Sequence, residues 1–144
     1  MKTGKVIGLI SCVKKKKEVA TKAKELYTSS LFIKAKEFAE KKFDKYYILS
    51  AKYGLVDPDE VIEPYCITLK NKKIDERKKW AEEVFARFKP LISIDDEIIF
   101  LAGKYYREFL EIMFDKNGIF HQTPLKNLPI GKQMQWYNKE LFSK

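Results

Sequence analysis

The chain has little of several things that announce a function. Its 144 residues include two cysteines, Cys12 and Cys66, and one histidine, His121. These lack metal-ligand spacing, so no structural zinc site is expected and no metal is assigned. Two thiols leave room for one Cys12–Cys66 disulfide, and reduced thiols are the expectation in so lysine-rich a chain. No apolar run approaches the roughly 18 residues of a membrane span. The N-terminal Met1-Lys2-Thr3-Gly4-Lys5 leads only into a short apolar run, Val6 to Ile10, too brief for a signal peptide, and a cytoplasmic protein is expected. No glycine-rich phosphate loop follows an apolar run, which argues against P-loop binding of a nucleoside triphosphate. No Ser-His-Asp order surrounds His121, which reads as a packed strand residue. No cofactor is expected. Acidic residues are in deficit: 20 Asp and Glu face 29 Lys and Arg, a formal charge of +9. Such a balance favours an anionic partner, most often nucleic acid.

What is present fits a single α/β domain, residues 1–144, since domains commonly hold about 100–150 residues. Lys5 to Ile10 reads as a buried strand of a parallel sheet. Ser11 to Lys17 is a basic loop, and Glu18 to Tyr27 has helical composition. A serine in Thr28-Ser29-Ser30 is placed to cap a helix in which Leu31, Phe32, Ala35, Phe38 and Ala39 recur at helical spacing. Tyr46 to Leu49 is a second strand. Ser50 to Leu69 has no clear period and exceeds the usual loop length, but its apolar residues predict an ordered loop packed on the domain. Ile74 to Phe88 is a helix with Trp80, Val84 and Phe88 four apart, closed by Pro90. Glu97 to Ala102 is a third strand. Lys104 to Asn117 is a helix with Phe109, Ile112 and Met113 inward, stopped by Asn117-Gly118. Gly118 to Thr123 is a weaker fourth strand, Pro124 to Gly131 a loop, and Lys132 to Phe142 a last helix. Four strands alternating with helices predict a three-layer αβα sandwich around a four-stranded parallel sheet.

In such sheets ligands bind beyond the carboxyl ends of the strands. Four loops are expected there: Ser11 to Lys17, Ser50 to Asp59, Gly103 to Tyr106, and Pro124 to Gln133. Each carries lysine, and two carry tyrosine. Lysines attract phosphate and aromatic rings stack on bases, so the edge has the makings of a nucleotide site. Each element also has a plainer reading. Lys14 to Lys17 is also a solvated charge run, Asp57 and Asp59 around Pro58 are also turn residues, and one of Tyr105 and Tyr106 belongs to the core.

The run Ala23-x-Glu25-Leu-Tyr-Thr-Ser-Ser-Leu-Phe32, then Ile48-Leu-Ser-Ala-Lys-Tyr-Gly-Leu-Val-Asp-Pro58 and Ile62-Glu-Pro-Tyr65, resembles a bacterial and phage domain family of unknown function. The second and third segments also resemble the YaaA peroxide-stress family, which implies DNA binding. The likeness runs from Val6 to Phe85. The whole layout is similar to the uracil-DNA glycosylase superfamily, with a catalytic loop after the first strand and His121-Gln-Thr-Pro-Leu125 in place of a loop that enters the minor groove. The glycosylase first motif is absent, since Ser11-Cys12-Val13 stands there.

Two readings follow. As a glycosylase-like enzyme, the protein extrudes a modified or damaged base and cleaves its N-glycosidic bond. Asp57 would be the carboxylate that steadies the sugar cation, and Ser11 and Ser50 the donors to the base. Tyr27, Tyr53, Tyr65 and Cys12 would surround the base. Lys14, Lys15, Lys16, Lys17, Lys52, Lys104, Lys126, Lys132 and Gln133 would hold the backbone. Leu125 or Leu128 would be the wedge in the duplex. As a non-catalytic DNA-binding stress or defence protein, it uses the same lysines and tyrosines and needs no carboxylate. A weaker third reading is an enzyme acting on a free nucleotide or nucleoside.

Overall fold

The computed structural model describes residues 4–11 and 17–142. The first apolar run forms strand β1 (Val6–Ser11), flanked by β3 (Lys45–Ser50) and β6 (Glu97–Leu101), and all three run parallel. β7 (Phe120–Gln122) adds to β6, also parallel. β4 (Gly54–Val56) turns back antiparallel on β3, so the order is β4-β3-β1-β6-β7. The sheet therefore has five strands, not the expected four. The four foreseen strands are its parallel part, and β4 is the addition.

β1 is buried on both faces, as a central parallel strand requires. Leu9 pairs with Tyr47 and Phe100, and this row meets helices α3 (Ile74–Phe88) and α4 (Lys104–Lys116). There Phe114 stacks on Phe88 at 5.8 Å and on Phe100 at 5.4 Å. The alternate residue, Gly8, lies under α2 (Ser30–Lys42) and its C-cap Phe43. A Cβ at Gly8 would stand 2.6 Å from the Phe43 ring, so only glycine admits this approach. α2 packs on α5 (Ile130–Phe142), where Phe38 meets Trp136 at 4.9 Å and Tyr137 at 5.9 Å. Helices thus cover both faces. The Ser29 hydroxyl caps α2 by accepting the Phe32 N–H at 3.2 Å. α3 carries Trp80, Val84 and Phe88 inward, as their spacing predicts.

Three local expectations are corrected. Of Glu18 to Tyr27, only α1 (Ala23–Leu26) is helical. The residues just before it, β2 (Thr21–Lys22), pair with β5 (Val61–Ile62) in a small second sheet. The long connection after β3 is ordered and packed, but it contains β4 and β5 rather than loop alone. In α4 the inward residues are Tyr106, Leu110 and Phe114; Ile112 is 50% exposed, and Phe109 and Met113 are half-buried. No described helix is long and apolar enough to cross a membrane.

Candidate functional site

β1 sends its chain toward β3 on one side, while β6, on its other side, is reached by the return through α3. Between neighbours whose connections diverge, the carboxyl edge opens into a crevice. A cleft of about 690 Å³ lies there, within the range of roughly 300–1,000 Å³ typical of ligand pockets. Ser11 ends β1 at its floor, and the Ser11 hydroxyl accepts the Gly103 N–H at 3.0 Å, tying the ends of β1 and β6 together. Gly103 is the N-cap of α4, and no described side chain caps that helix, whose first turn opens on the cleft. The deeper walls are apolar: Phe32 and Ala35 of α2, Leu101, Leu125, and Met134 and Tyr137 of α5. Burial raises the Tyr137 phenol well above its ordinary value, so it stays protonated.

The charged residues of the described lining are Lys70, Lys104, Arg107 and Lys126. No aspartate, glutamate or histidine is among the described lining residues. Lys70, Lys104 and Lys126 have no ion-pair partner among the described residues and are exposed. Arg107 is only 9% exposed. Its Nε donates to the Ala102 carbonyl at 3.2 Å and its Nη1 to Glu111 at 2.9 Å. These bonds engage two of the five N–H donors a guanidinium carries. The arrangement favours a ligand that joins an anionic group to a flat apolar one.

Several expected residues come together here: Ser11, Lys104, Lys126, Gln133, Leu125 and Leu128 all line the cleft. Gln133 donates to the Leu128 carbonyl at 2.8 Å, which pins the last loop against α5. In that loop Asn127 has φ of 67°, a left-handed turn position that asparagine tolerates. Leu125 is buried and Leu128 half-buried against the core, so neither stands out as a wedge; they form wall instead.

Other expected residues lie elsewhere. Ser50 is fully buried, and its hydroxyl accepts the N–H groups of Lys52 and Tyr53 at 3.2 and 3.0 Å, so it shapes a turn rather than meeting a base. Tyr27 and Tyr65 are buried with their hydroxyls 2.5 Å apart, and the Tyr53 ring packs on Tyr65. Lys52 lies 5.2 Å over the Tyr53 ring. Lys17 and Lys132 are exposed and border no part of the described cleft. Cys12, Lys14, Lys15 and Lys16 fall outside the described residues. Cys66 is exposed and free. His121 is half-buried between Phe100 and Phe114 and meets Asp115 at 2.7 Å, as a packed strand residue.

Asp57 is the largest displacement. β4 runs antiparallel, with Val56 opposite Ile48, and so carries Asp57 back beside Tyr47. Three strand positions separate Tyr47 from Ser50, roughly 10 Å along the sheet and away from the cleft. Asp57 there closes a turn, accepting the Asp59 N–H at 2.9 Å. It lines a shallow hollow of about 290 Å³ at the amino edge with Glu40, Asp44, Asp59, Lys45 and Tyr46. Tyr46 donates to Glu40 at 2.6 Å, and burial together with that bond raises its phenol far above the ordinary value. The bond from Lys24 to Asp59, 2.9 Å, holds the Asp59 carboxyl below the usual range.

The sequence reading named neither Arg107 nor Lys70 as site residues, and it placed Tyr105 at this edge only as part of the loop from Gly103 to Tyr106. Arg107 had a signal, since it lies in the opening turns of a helix that follows a strand. Lys70 had none, because it reaches the cleft from a connection whose path no periodicity reveals. Of the tyrosine pair, Tyr106 is the core member and Tyr105 the exposed one. Among the described residues no group of three His, Cys, Asp or Glu is placed to hold a metal ion.

Fold and site together define an α/β protein with a mostly parallel sheet and a basic cleft at its topological switch point. The chain belongs to a family of unknown function, DUF6884, whose model matches residues 7–139. That span runs from β1 into α5 and contains every cleft residue named above. A comparison with curated proteins finds no match.

Proposed function

We propose that this protein binds nucleic acid and takes one nucleotide, lifted from its stack, into the cleft between β1 and β6. The observation that carries this reading is the sign of the cleft: among the described lining residues every charged one is cationic, and the depth is apolar. Lysines and a helix N-terminus suit phosphate, and the apolar walls suit a base.

Excision of the base, as the likeness to uracil-DNA glycosylases implies, draws partial support. A parallel four-stranded core between helices, with the end of the first strand, Ser11, at the cleft, is compatible with that layout. The chemistry fits less well. A sugar with oxocarbenium character would develop positive charge among lysines and Arg107, while Asp57 lies at the opposite edge. A cationic site steadies anions. Binding, as the likeness to the YaaA family implies, is therefore the reading the geometry supports best.

The test is anisotropy of labelled single-stranded and duplex DNA across a salt series, with alkali cleavage to reveal abasic sites. Three phosphate contacts predict that log K falls with log salt at a slope of about −2 on single strands. Absence of retention at low salt would overturn the reading. Strand breaks after alkali would restore excision.

A further inference from the structure

Tyr105 is an exposed aromatic ring held still at the rim of the cleft. The neighbouring Tyr106 turns inward and meets the Trp80 ring at 5.6 Å, which leaves Tyr105 facing outward on the first turn of α4. Tyr105 is 36% exposed and borders the cleft. The guanidinium of Arg77 lies 5.0 Å from its ring centroid. Arg77 is itself fixed, donating from Nη1 to the Lys72 carbonyl at 2.7 Å and from Nε to Glu108 at 3.2 Å. One face of the ring is thus backed by a clamped cation, and no other described ring or cation lies on it. A tyrosine kept for packing would be buried like its neighbour. A tyrosine kept for solubility would need no clamp. Lys104 precedes it in the chain, and Lys70 lines the same cleft.

We propose that Tyr105 is a stacking platform for a second base, so that the ligand is a strand of at least two nucleotides rather than a free nucleotide. This rests on the nucleic-acid reading above and names the substrate class of the same cleft. One nucleotide enters between β1 and β6, and its neighbour lies flat on the open face of Tyr105.

The experiment compares deoxyadenosine monophosphate with the 5′-phosphorylated dinucleotide of deoxyadenosine, by calorimetry, on the wild type, Tyr105→Ala and Tyr105→Phe. The wild type should bind the dinucleotide more tightly. Tyr105→Ala should weaken the dinucleotide about tenfold or more, the loss expected for one base–aromatic stack, and weaken the mononucleotide much less. Tyr105→Phe keeps the ring and should keep the affinity. Equal weakening of both ligands, no weakening of either, or a loss in Tyr105→Phe matching that in Tyr105→Ala would overturn the platform while leaving the cleft standing. Failure of the wild type to bind either ligand or longer strands would overturn the nucleic-acid reading itself.

Discussion

The two edges of the sheet use charge in opposite ways. At the amino edge, carboxylates are engaged in holding the fold. Asp44 accepts the Val6 N–H at 2.8 Å, and Asp96 accepts the Lys5 N–H at 2.8 Å and the Ser93 N–H at 2.9 Å. Asp57 closes its turn, and Asp59 pairs with Lys24. At the carboxyl edge, Lys70, Lys104 and Lys126 border the cleft with no ion-pair partner among the described residues. A charge whose partner lies in the same chain stabilises the fold. A charge left without one is available to a ligand. On the proposed reading, the difference separates stability from binding along a single axis of the molecule.

The largest effect should come from reversing the open end. Lys70→Glu, Lys104→Glu and Lys126→Glu together should weaken single-stranded oligonucleotide binding at least about a hundredfold at low salt, through lost phosphate contacts. Because these side chains are exposed and unpaired, denaturant unfolding should move within about 0.5 kcal/mol. A large loss of stability instead would show that the lysines belong to the fold, and the contrast between edges would break.

The opposite pattern is expected from Asp96. Its carboxylate is buried and ties the start of β1 to the start of β6. Burial works against its ionisation, but the Lys5 and Ser93 donors outweigh burial and hold it below the usual range. Asp96→Ala leaves those N–H groups without their acceptor and should cost about 1–3 kcal/mol, with oligonucleotide affinity unchanged. Because the folded pKa lies below the unfolded value, the contribution is present above about pH 4 and disappears as pH falls through the folded pKa. Wild-type stability should therefore fall on acidification in that window, and Asp96→Ala should fall less steeply. Chemical unfolding at a series of pH values reads both.

Packing gives a prediction of similar size that does not depend on charge. Gly8→Ala forces a Cβ against the Phe43 ring at a central strand. It should destabilise by about 1–3 kcal/mol, seen as a lower unfolding midpoint with an unchanged slope.

How far these edges were legible in the sequence depends on the length of each pattern. α3 declares its buried side because Trp80, Val84 and Phe88 repeat over a long helix. α4 misleads because two apolar stripes overlap on it. Phe109, Ile112 and Met113 have the right spacing, as do Tyr106, Leu110 and Phe114, and only the position of α3 and β6 chooses between them. β4 is three residues long, too short to show a period, and its positive-φ Gly54 reads simply as a turn. That single omission moved the expected carboxylate to the wrong end of the sheet. The loop ends of β1, β6 and β7 were legible because parallel topology alone puts them on one edge. Lys104, Lys126 and Gln133 followed from that rule, whereas Lys70 depends on the path of a long connection.

Asp57→Asn carries the smallest expected effect and probes the comparison most directly. Asparagine keeps an oxygen where Oδ1 accepts the Asp59 N–H, so the turn should survive and stability should stay within about 0.5 kcal/mol. The residue stands at the amino edge, on the far side of β3 from the cleft. Oligonucleotide affinity and any yield of abasic sites should therefore match the wild type. A variant that binds normally but loses abasic-site formation would place a catalytic carboxylate at the amino edge and join the two ends of the sheet in one reaction. A variant that loses neither leaves the acidic edge to the fold and the basic edge to the ligand.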